Sequence, residues 1–396
     1  MKNYNMKIAL VSDTYFPRIN GVSVSMDNFA EEYRKMGHEV YIIAPLFPGY
    51  KDKNKYVIRI KSHHIFFDPQ DRLSNPFSLS MSKKIKKEIL ARKFDVFHTQ
   101  TPFALGLSAI FWAKQTGCPV INTYHTLFES YVHYLKFVPQ MISISMARRI
   151  SRWYCNRMDL VIAPTKRMKA LLENYKVRER IEVVPTGIKM KKPMKKICSV
   201  FCEKYPQIKK GVNLLYMGRL EKEKNIDFLF YALKRLIKTN KDIKLLMAGS
   251  GYDEARLKDL VKVMGIEKHV IFLGTYTDLQ RPNILSLADI FVFSSVTETQ
   301  GLVILEALSA GVPVVAVKRM GVAEVMEGNK GGILTELSID KFVAAVNKMI
   351  TDKKFYAQKK KEALLHAKEW ESSAMAKKML ALYKEAIADY KMKSGS

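Results

Sequence analysis

Short apolar runs recur along this chain, each followed by a Gly-, Pro- or Asn-marked loop and then by apolar residues at helical spacing. Lys7 to Ser12 (KIALVS) reads as a buried strand, Asp13 to Gly21 (DTYFPRING) as a loop, and VSVSMDNFAEEYRKMG as an amphipathic helix closed by Gly37. HEVYIIAP and YVIRI supply further strands, and the run from Phe94 through TYHT reads strand, loop, helix, strand. MDLVIAPT and IEVVPTGI close the first half. The alternation then starts again: NLLYMG, KLLMAG, HVIFLG and ADIFVFSS each end a strand, and LVILEALSA is a helix leading through Gly311-Val312-Pro313 into VVAV. Unbroken apolar strands separated by helices predict an α/β chain with parallel sheets covered on both faces.

With 396 residues the chain is too long for one small core and predicts two domains. The Lys/Pro run KMKKPMKKI, residues 189 to 197, reads as the linker, so the expected domains are 1–190 and 191–365. A helical block from Ala357 to Lys391 ends the chain, with 366–392 expected as a terminal helix. No repeat or low-complexity tract appears.

Composition narrows the class. Hydrophobic residues make up 48%, yet no run of about eighteen apolar residues suggests a spanning helix. The opening MKNYNMKIALVSD runs directly into a strand, so no secretory leader is expected. Cys118, Cys155, Cys198 and Cys202 form no disulfide framework and lack zinc spacing, which favours a reducing compartment. Charge says more. The net +28 exceeds what solubility needs and implies an anionic partner: nucleic acid, an anionic membrane or phosphorylated ligands.

Candidate chemistry lies at the ends of strands. Glu298 sits in a polar loop and Glu306 inside the following helix. Eight helical steps of ~1.5 Å separate such residues by ~12 Å. Hydrolytic carboxylate pairs lie at roughly 5 to 9.5 Å, so these two are poor partners in one acid/base pair. They suit the two ends of a long polyhydroxylated ligand, with phosphates between them at the helix start, where Gly301 permits close approach. Arg219 and Lys224 follow the strand NLLYM and offer a fork and a point charge to phosphate oxygens. Gly249 and Gly251 also admit close backbone approach, but Glu254 stands where a third dinucleotide glycine would be. The first βα turn, with Gly21, likewise lacks G-x-G-x-x-G, which disfavours a nicotinamide enzyme. His125 ends a strand at the carboxyl edge, where open α/β sheets bind ligands, although a lone His there is more often structural.

SVTETQGLVILEALSAGVPVV resembles the Glu-x7-Glu donor signature of retaining GT-B glycosyltransferases that use nucleotide sugars. That resemblance implies Glu298 at the sugar hydroxyls and Glu306 at the ribose, with Gln300, Gly301 and Leu302 near the diphosphate. GRLEKEKN is similar to the family loop whose Arg and Lys hold the diphosphate, which implies those roles for Arg219 and Lys224. The turn HVIFLGTYTD would face the base, with Tyr276 in it, and the Gly21 loop would lie over the phosphates and the acceptor. TPFALGLSA…NTYHTLFESYVHYL resembles bacterial diacylglycerol glucosyltransferases, which implies His125 beside the donor sugar. The resemblance covers nearly the whole chain. It implies a GT-B fold: two Rossmann-like domains facing across a cleft, with the acceptor in the first, the donor in the second, and the terminal helix crossing back. The activity implied is transfer of a hexose, glucose foremost, from a UDP-sugar to a diacylglycerol-type lipid with retention.

No cofactor is expected, the UDP-sugar being a co-substrate. No Asp-x-Asp motif stands near the donor loops, so metal is not demanded, though stimulation by a divalent ion stays open. Two basic, apolar-interleaved segments are expected to dock on an anionic membrane from the cytoplasmic face. One holds Lys83, Lys84, Lys86 and Lys87; the other holds Arg148, Arg149, Arg152 and Trp153, with Ile150 and Tyr154. A related enzyme acting on a phosphatidylinositol-like lipid, a glycolipid or a soluble sugar would share every donor motif. A nucleic-acid-binding protein would explain the charge, but no recognisable module for it is present, and no nucleic-acid partner is expected.

Overall fold

A computed structural model describes residues 5–52, 54–65, 68–74, 83–125, 140–189 and 203–395. Two compact units emerge, Met1–Gly187 with Ser372–Ser396, and Ile188–Glu371. The Lys/Pro linker beyond Lys189 and the pair Cys198 and Cys202 fall outside the described residues.

The first unit carries strands β1 (Lys7–Val11), β2 (Glu39–Pro45), β3 (Val57–Ile60), β4 (Ser62–Ile65), β5 (Asp68–Ser74), β6 (Val96–Thr99), β7 (Val120–Thr123), β8 (Leu160–Ala163) and β9 (Ile181–Val183). Seven of them form a parallel sheet in the order β3-β2-β1-β6-β7-β8-β9, while β4 and β5 pair as an antiparallel ribbon. The order reverses between β1 and β6, which makes their carboxyl ends the switch point where such sheets hold ligands. After Lys7, β1 is continuously apolar because helices cover both faces; Ile8 to Val11 are fully or almost fully buried.

The helix Gly21–Lys35 starts with a capping box in which Asn20 accepts from the Ser23 amide and Ser23 accepts from the Asn20 amide. Its apolar face, Met26, Phe29, Ala30 and Tyr33, packs on the terminal helix Ser372–Ser394 through Ala376, Met379, Leu380 and Tyr383. The i, i+3, i+4, i+7 spacing of that second set puts it on one helical face. The Tyr383 hydroxyl also meets Tyr33 and the buried His98, whose other nitrogen lies 2.7 Å from Thr123 Oγ1. The periodicity from Ala357 to Lys391 predicts one helical block; the structure breaks it into Lys353–Lys368 and Ser372–Ser394. The break falls where Trp370 gives its carbonyl to the Ile188 amide and packs against the second unit's core.

The second unit repeats the plan. β10 (Val212–Met217), β11 (Ile243–Ala248), β12 (Val270–Gly274), β13 (Ile290–Phe293), β14 (Val314–Val317) and β15 (Gly332–Thr335) pair in the order β12-β11-β10-β13-β14-β15, all parallel. β11, β13 and β14 are buried along their whole length, and the switch point lies between β10 and β13.

Candidate active site

In the second unit, the loops after β10 and β13 are stitched together at the switch point. The Ser294 hydroxyl donates to the carbonyls of Lys224 and Asn225, and the Asn225 amide group donates back to the Ser294 carbonyl. Asn225 takes a left-handed conformation, φ +53°, which turns the chain sharply into the helix Ile226–Thr239. The consequence is a contact between two separately predicted residues: Lys224 Nζ lies 2.6 Å from Glu298 Oε1. Arg219 lies between acids of its own loop, 3.2 Å from Glu223 and 3.6 Å from Glu221. Glu223 is almost fully buried.

Gly301 caps the helix Leu302–Ser309 at φ +82°, a region that a side chain enters only with strain. A glycine cap brings no side-chain acceptor to the first helical N–H groups, which suits an anion at that end. Gln300 is buried beside it, and Leu302 opens the helix half-buried against the core. The loop is backed by Gly321, whose amide donates to the Glu298 carbonyl and whose missing Cβ would lie 2.2 Å from the Thr299 carbonyl oxygen. Gly249 and Gly251 also serve a close approach, but within the protein: Cβ atoms there would collide with the carbonyls of Gly218 and Leu220.

Glu306, in the second turn, pairs with Arg281, a residue that pattern reading misses. Arg281 also lies 2.9 Å from Asp278, with its guanidinium carbon 5.7 Å from the centre of the Tyr276 ring. Burial pushes the Tyr276 hydroxyl up to about 12. One local signal could have exposed Arg281: it begins the short helix Arg281–Leu285, where a cation opposes the helix dipole.

The first unit's switch point is built from neutral or fully satisfied groups. Asp13, at the end of β1, is buried. It accepts from the Leu105 amide and the Thr101 hydroxyl, so it caps the helix Ala104–Thr116 from a distance. His125 follows β7 with Nε2 2.7 Å from Gln100 Oε1, and burial lowers its pKa to about 4. It is therefore neutral at pH 7 and able to share a hydrogen bond, not to supply charge. Gly21 is the exposed first residue of its helix. The loop before it is pinned by Arg59, which grips Asp52 with two nitrogens and the Phe16 and Pro45 carbonyls with its remaining donors.

The two basic segments differ. In the helix Lys83–Ala91, Ile89 is buried in the core and Leu90 packs against that core, so its described large apolar residues face inward. Lys87 is exposed; the side chains of Lys83, Lys84 and Lys86 lie outside the described residues. Arg92, just beyond, stacks 4.4 Å over the Tyr41 ring and pairs with Glu88. The helix Gln140–Cys155 does the opposite. Its inward face buries the small polar Ser143 and Ser151 along the helix, with Tyr124 hydrogen-bonded to Ser151, and Tyr154 and Cys155 at its end. Met141, Ile142, Met146, Ile150 and Trp153 point outward, at 85, 57, 53, 48 and 47% exposure. Arg148 and Arg149 are exposed among them, Arg152 is half-buried, and Arg157 stacks 3.9 Å over Trp153. Tyr154 belongs to the core instead and donates to Thr99. Among the described residues no helix is long and apolar enough to cross a membrane, and no three His, Cys, Asp or Glu side chains gather as a metal site.

Two doubly wound parallel sheets, with cations and carboxylates brought together at the second switch point, are the arrangement the resemblance to GT-B glycosyltransferases implies. The model of Glycosyltransferase Family 4 matches residues 19–192, and that of Glycosyl transferases group 1 matches residues 201–366. An alpha-monoglucosyldiacylglycerol synthase of Streptococcus pneumoniae is 36% identical over 320 residues, covering 78% of this chain and 71% of the relative. Its counterpart in Acholeplasma laidlawii is 29% identical over 323 residues, covering 78% and 80%. Among solved structures, sucrose-phosphate synthase from Thermosynechococcus elongatus superposes with a TM-score of 0.78 at 20% identity, covering 97% of this chain and 100% of that one. HepE of Anabaena in complex with UDP gives 0.75 at 18%, covering 96% and 100%. The chain belongs to the family 4, group 1 glycosyltransferases.

Proposed function

We propose that this glycosyltransferase moves a hexose, glucose foremost, from a UDP-sugar to the free hydroxyl of a diacylglycerol-type lipid, with retention of anomeric configuration. The observation that carries the donor half is the Lys224–Glu298 pair at the β10/β13 switch point. It joins one group suited to phosphate charge and one suited to sugar hydroxyls. The acceptor half draws on the two relatives named for monoglucosyldiacylglycerol synthesis.

In this reading the Lys224–Glu298 pair opens when donor arrives, so that Lys224 turns to the diphosphate and Glu298 to the sugar. As the glycosidic bond breaks, negative charge grows on the leaving diphosphate. Arg219, Lys224 and the N–H groups after Gly301 oppose that charge in place, without reorganisation at the moment of reaction. The acceptor hydroxyl attacks the anomeric carbon from the same face, and its proton passes to a leaving phosphate oxygen. Glu306 holds the ribose and Tyr276 lies by the base. No cofactor is required in this scheme.

The outward apolar stripe of Gln140–Cys155, with arginines among it, supports peripheral docking on an anionic membrane at its cytoplasmic face. Lys83, Lys84, Lys86 and Lys87 would add electrostatic attraction of ~1 kcal/mol for each residue near the surface. The test is incubation with several radiolabelled UDP-sugars and mixed lipid vesicles, followed by thin-layer separation. Label appearing in a glycosylated diacylglycerol supports the proposal; label appearing only in a water-soluble product overturns the acceptor assignment.

A further inference from the structure

Arg281 and Glu306 form an ion pair whose side chains are only 13 and 16% exposed. At that depth the cost of taking two charges from water offsets most of their attraction, so such a pair is weak evidence for stability. What it secures is geometry. Arg281 is held by Glu306 through Nη1 and by Asp278 through Nη2, with Tyr276 beside it. Burial alone would weaken its charge, but Glu306, Tyr276 and Asp278 together outweigh that and hold it firmly cationic. Its Nε is buried with no hydrogen-bond partner among the described residues, so this cation is kept at a cost.

Glu306 gains a fixed orientation. Its Oε1 accepts a hydrogen bond from Arg281 Nη1, while a carboxylate offers about four acceptor sites, so capacity remains for ligand hydroxyls. Without the guanidinium the carboxylate would be a poorly solvated anion, free to change rotamer. A rotated Glu306 would no longer discriminate a ligand that carries vicinal hydroxyls from one that lacks them.

We propose that Arg281 is the positioning residue that presents Glu306 to the ribose 2′- and 3′-hydroxyls, and so sets the preference for ribonucleotide over deoxynucleotide donors. The inference rests on the proposed donor reading, in which Glu306 meets the ribose.

Calorimetric titration of the full chain with UDP and with 2′,3′-dideoxy-UDP tests it. Wild type should prefer UDP by about 10- to 100-fold, the worth of hydrogen bonds to a charged group. Arg281→Leu should lower that ratio by about tenfold through weaker UDP binding alone, with the dideoxy ligand unchanged. Arg281→Lys should recover part of it, since a point charge replaces the fork only partly. Equal weakening of both nucleotides, or an unchanged ratio, would reduce Arg281 to a structural role. If Arg281→Leu fails to fold, Arg281→Leu/Glu306→Gln is compared with Glu306→Gln. Equal ratios support action through Glu306, and a further drop overturns it. A wild type without preference between the nucleotides removes the ribose reading itself. A wild type whose preference survives Glu306→Gln does the same, whereas an intact preference lost in Glu306→Gln but not in Arg281→Leu removes only the role of Arg281.

Discussion

The two units share one strand order around their switch points, yet their carboxyl edges are chemically opposite. In the second, three cations face carboxylates: Arg219 with Glu221 and Glu223, Lys224 with Glu298, Arg281 with Glu306. In the first, Asp13 is spent as a helix cap and His125 is held neutral against Gln100. The scaffold is therefore indifferent to the chemistry it carries, and a few residues after each strand decide it. A charged edge fits a ligand that brings and sheds phosphate charge. A neutral edge fits hydroxyls, which need hydrogen bonds without a strong field.

If that contrast is right, the largest losses belong to the second unit's cations. Arg219→Ala and Lys224→Ala should each reduce turnover by ~10²-fold or more, because they meet charge that develops in the transition state. Unaltered turnover together with unaltered UDP affinity by calorimetry would make them ordinary surface charges.

The carboxylates come next. Glu306→Ala should weaken UDP-sugar binding and Glu298→Ala should lower turnover more than affinity, each by at least ~tenfold for a lost hydrogen bond to a charged group. Steady-state kinetics separates the two patterns, and full activity in both variants would break the donor assignment.

Replacing Trp153 by Ser should lower partitioning onto phosphatidylglycerol vesicles by about tenfold, the worth of ~1.5 kcal/mol of lost apolar burial, and leave UDP affinity intact. Co-sedimentation measures it. Binding that is indifferent to this change, to lipid charge and to salt would show that the outward stripe serves another partner.

His125→Ala should cost less than any of these, about 2- to 10-fold in turnover, since a neutral hydrogen bond is worth ~0.5 to 1.5 kcal/mol. A loss of the size expected for Arg219 would mean that the first unit is not the neutral partner the comparison makes it.

A further effect is on stability. Burial lowers His98 to about 3, with the neighbouring His125 adding to the shift, and burial lowers His125 to about 4. Unfolded histidines take up protons near pH ~6.5. Between that value and the folded pKa the unfolded chain binds more protons, so this contribution is complete above pH ~6.5 and is lost as pH falls through the window. Urea midpoints should decline from pH 7 to pH 4.5, and less steeply in His98→Gln, once each variant is compared with its own pH 7 value.

Much of this was legible in the linear pattern. Apolar runs ending in Gly218, in Ser294 and in His125 located the strands of both sheets and their functional ends, because buried parallel strands carry no polar alternation. The Glu298–Glu306 spacing and the GRLEKEKN loop located the donor chemistry. Other features were not legible. Nothing local says that Asp13 would be consumed by the Leu105 amide, that Ile89 would turn inward while Ile150 and Trp153 turn out, or that Gly249 answers to the Gly218 carbonyl. Both basic segments interleave Lys or Arg with Ile and other apolar residues; which face is covered depends on neighbours remote in sequence.

By itself, then, the sequence determined the α/β alternation, the strand ends and the residue types gathered there, since these follow from periodicity and short-range turn chemistry. The tertiary structure decided which charges meet. Lys224 reaches Glu298 across 74 residues because Ser294 ties two loops together, and Arg281 reaches Glu306 across 25 because β12 and β13 end on the same edge of the sheet. Pairing of buried charges depends on distance and desolvation in three dimensions, and neither is a property of neighbours along the chain.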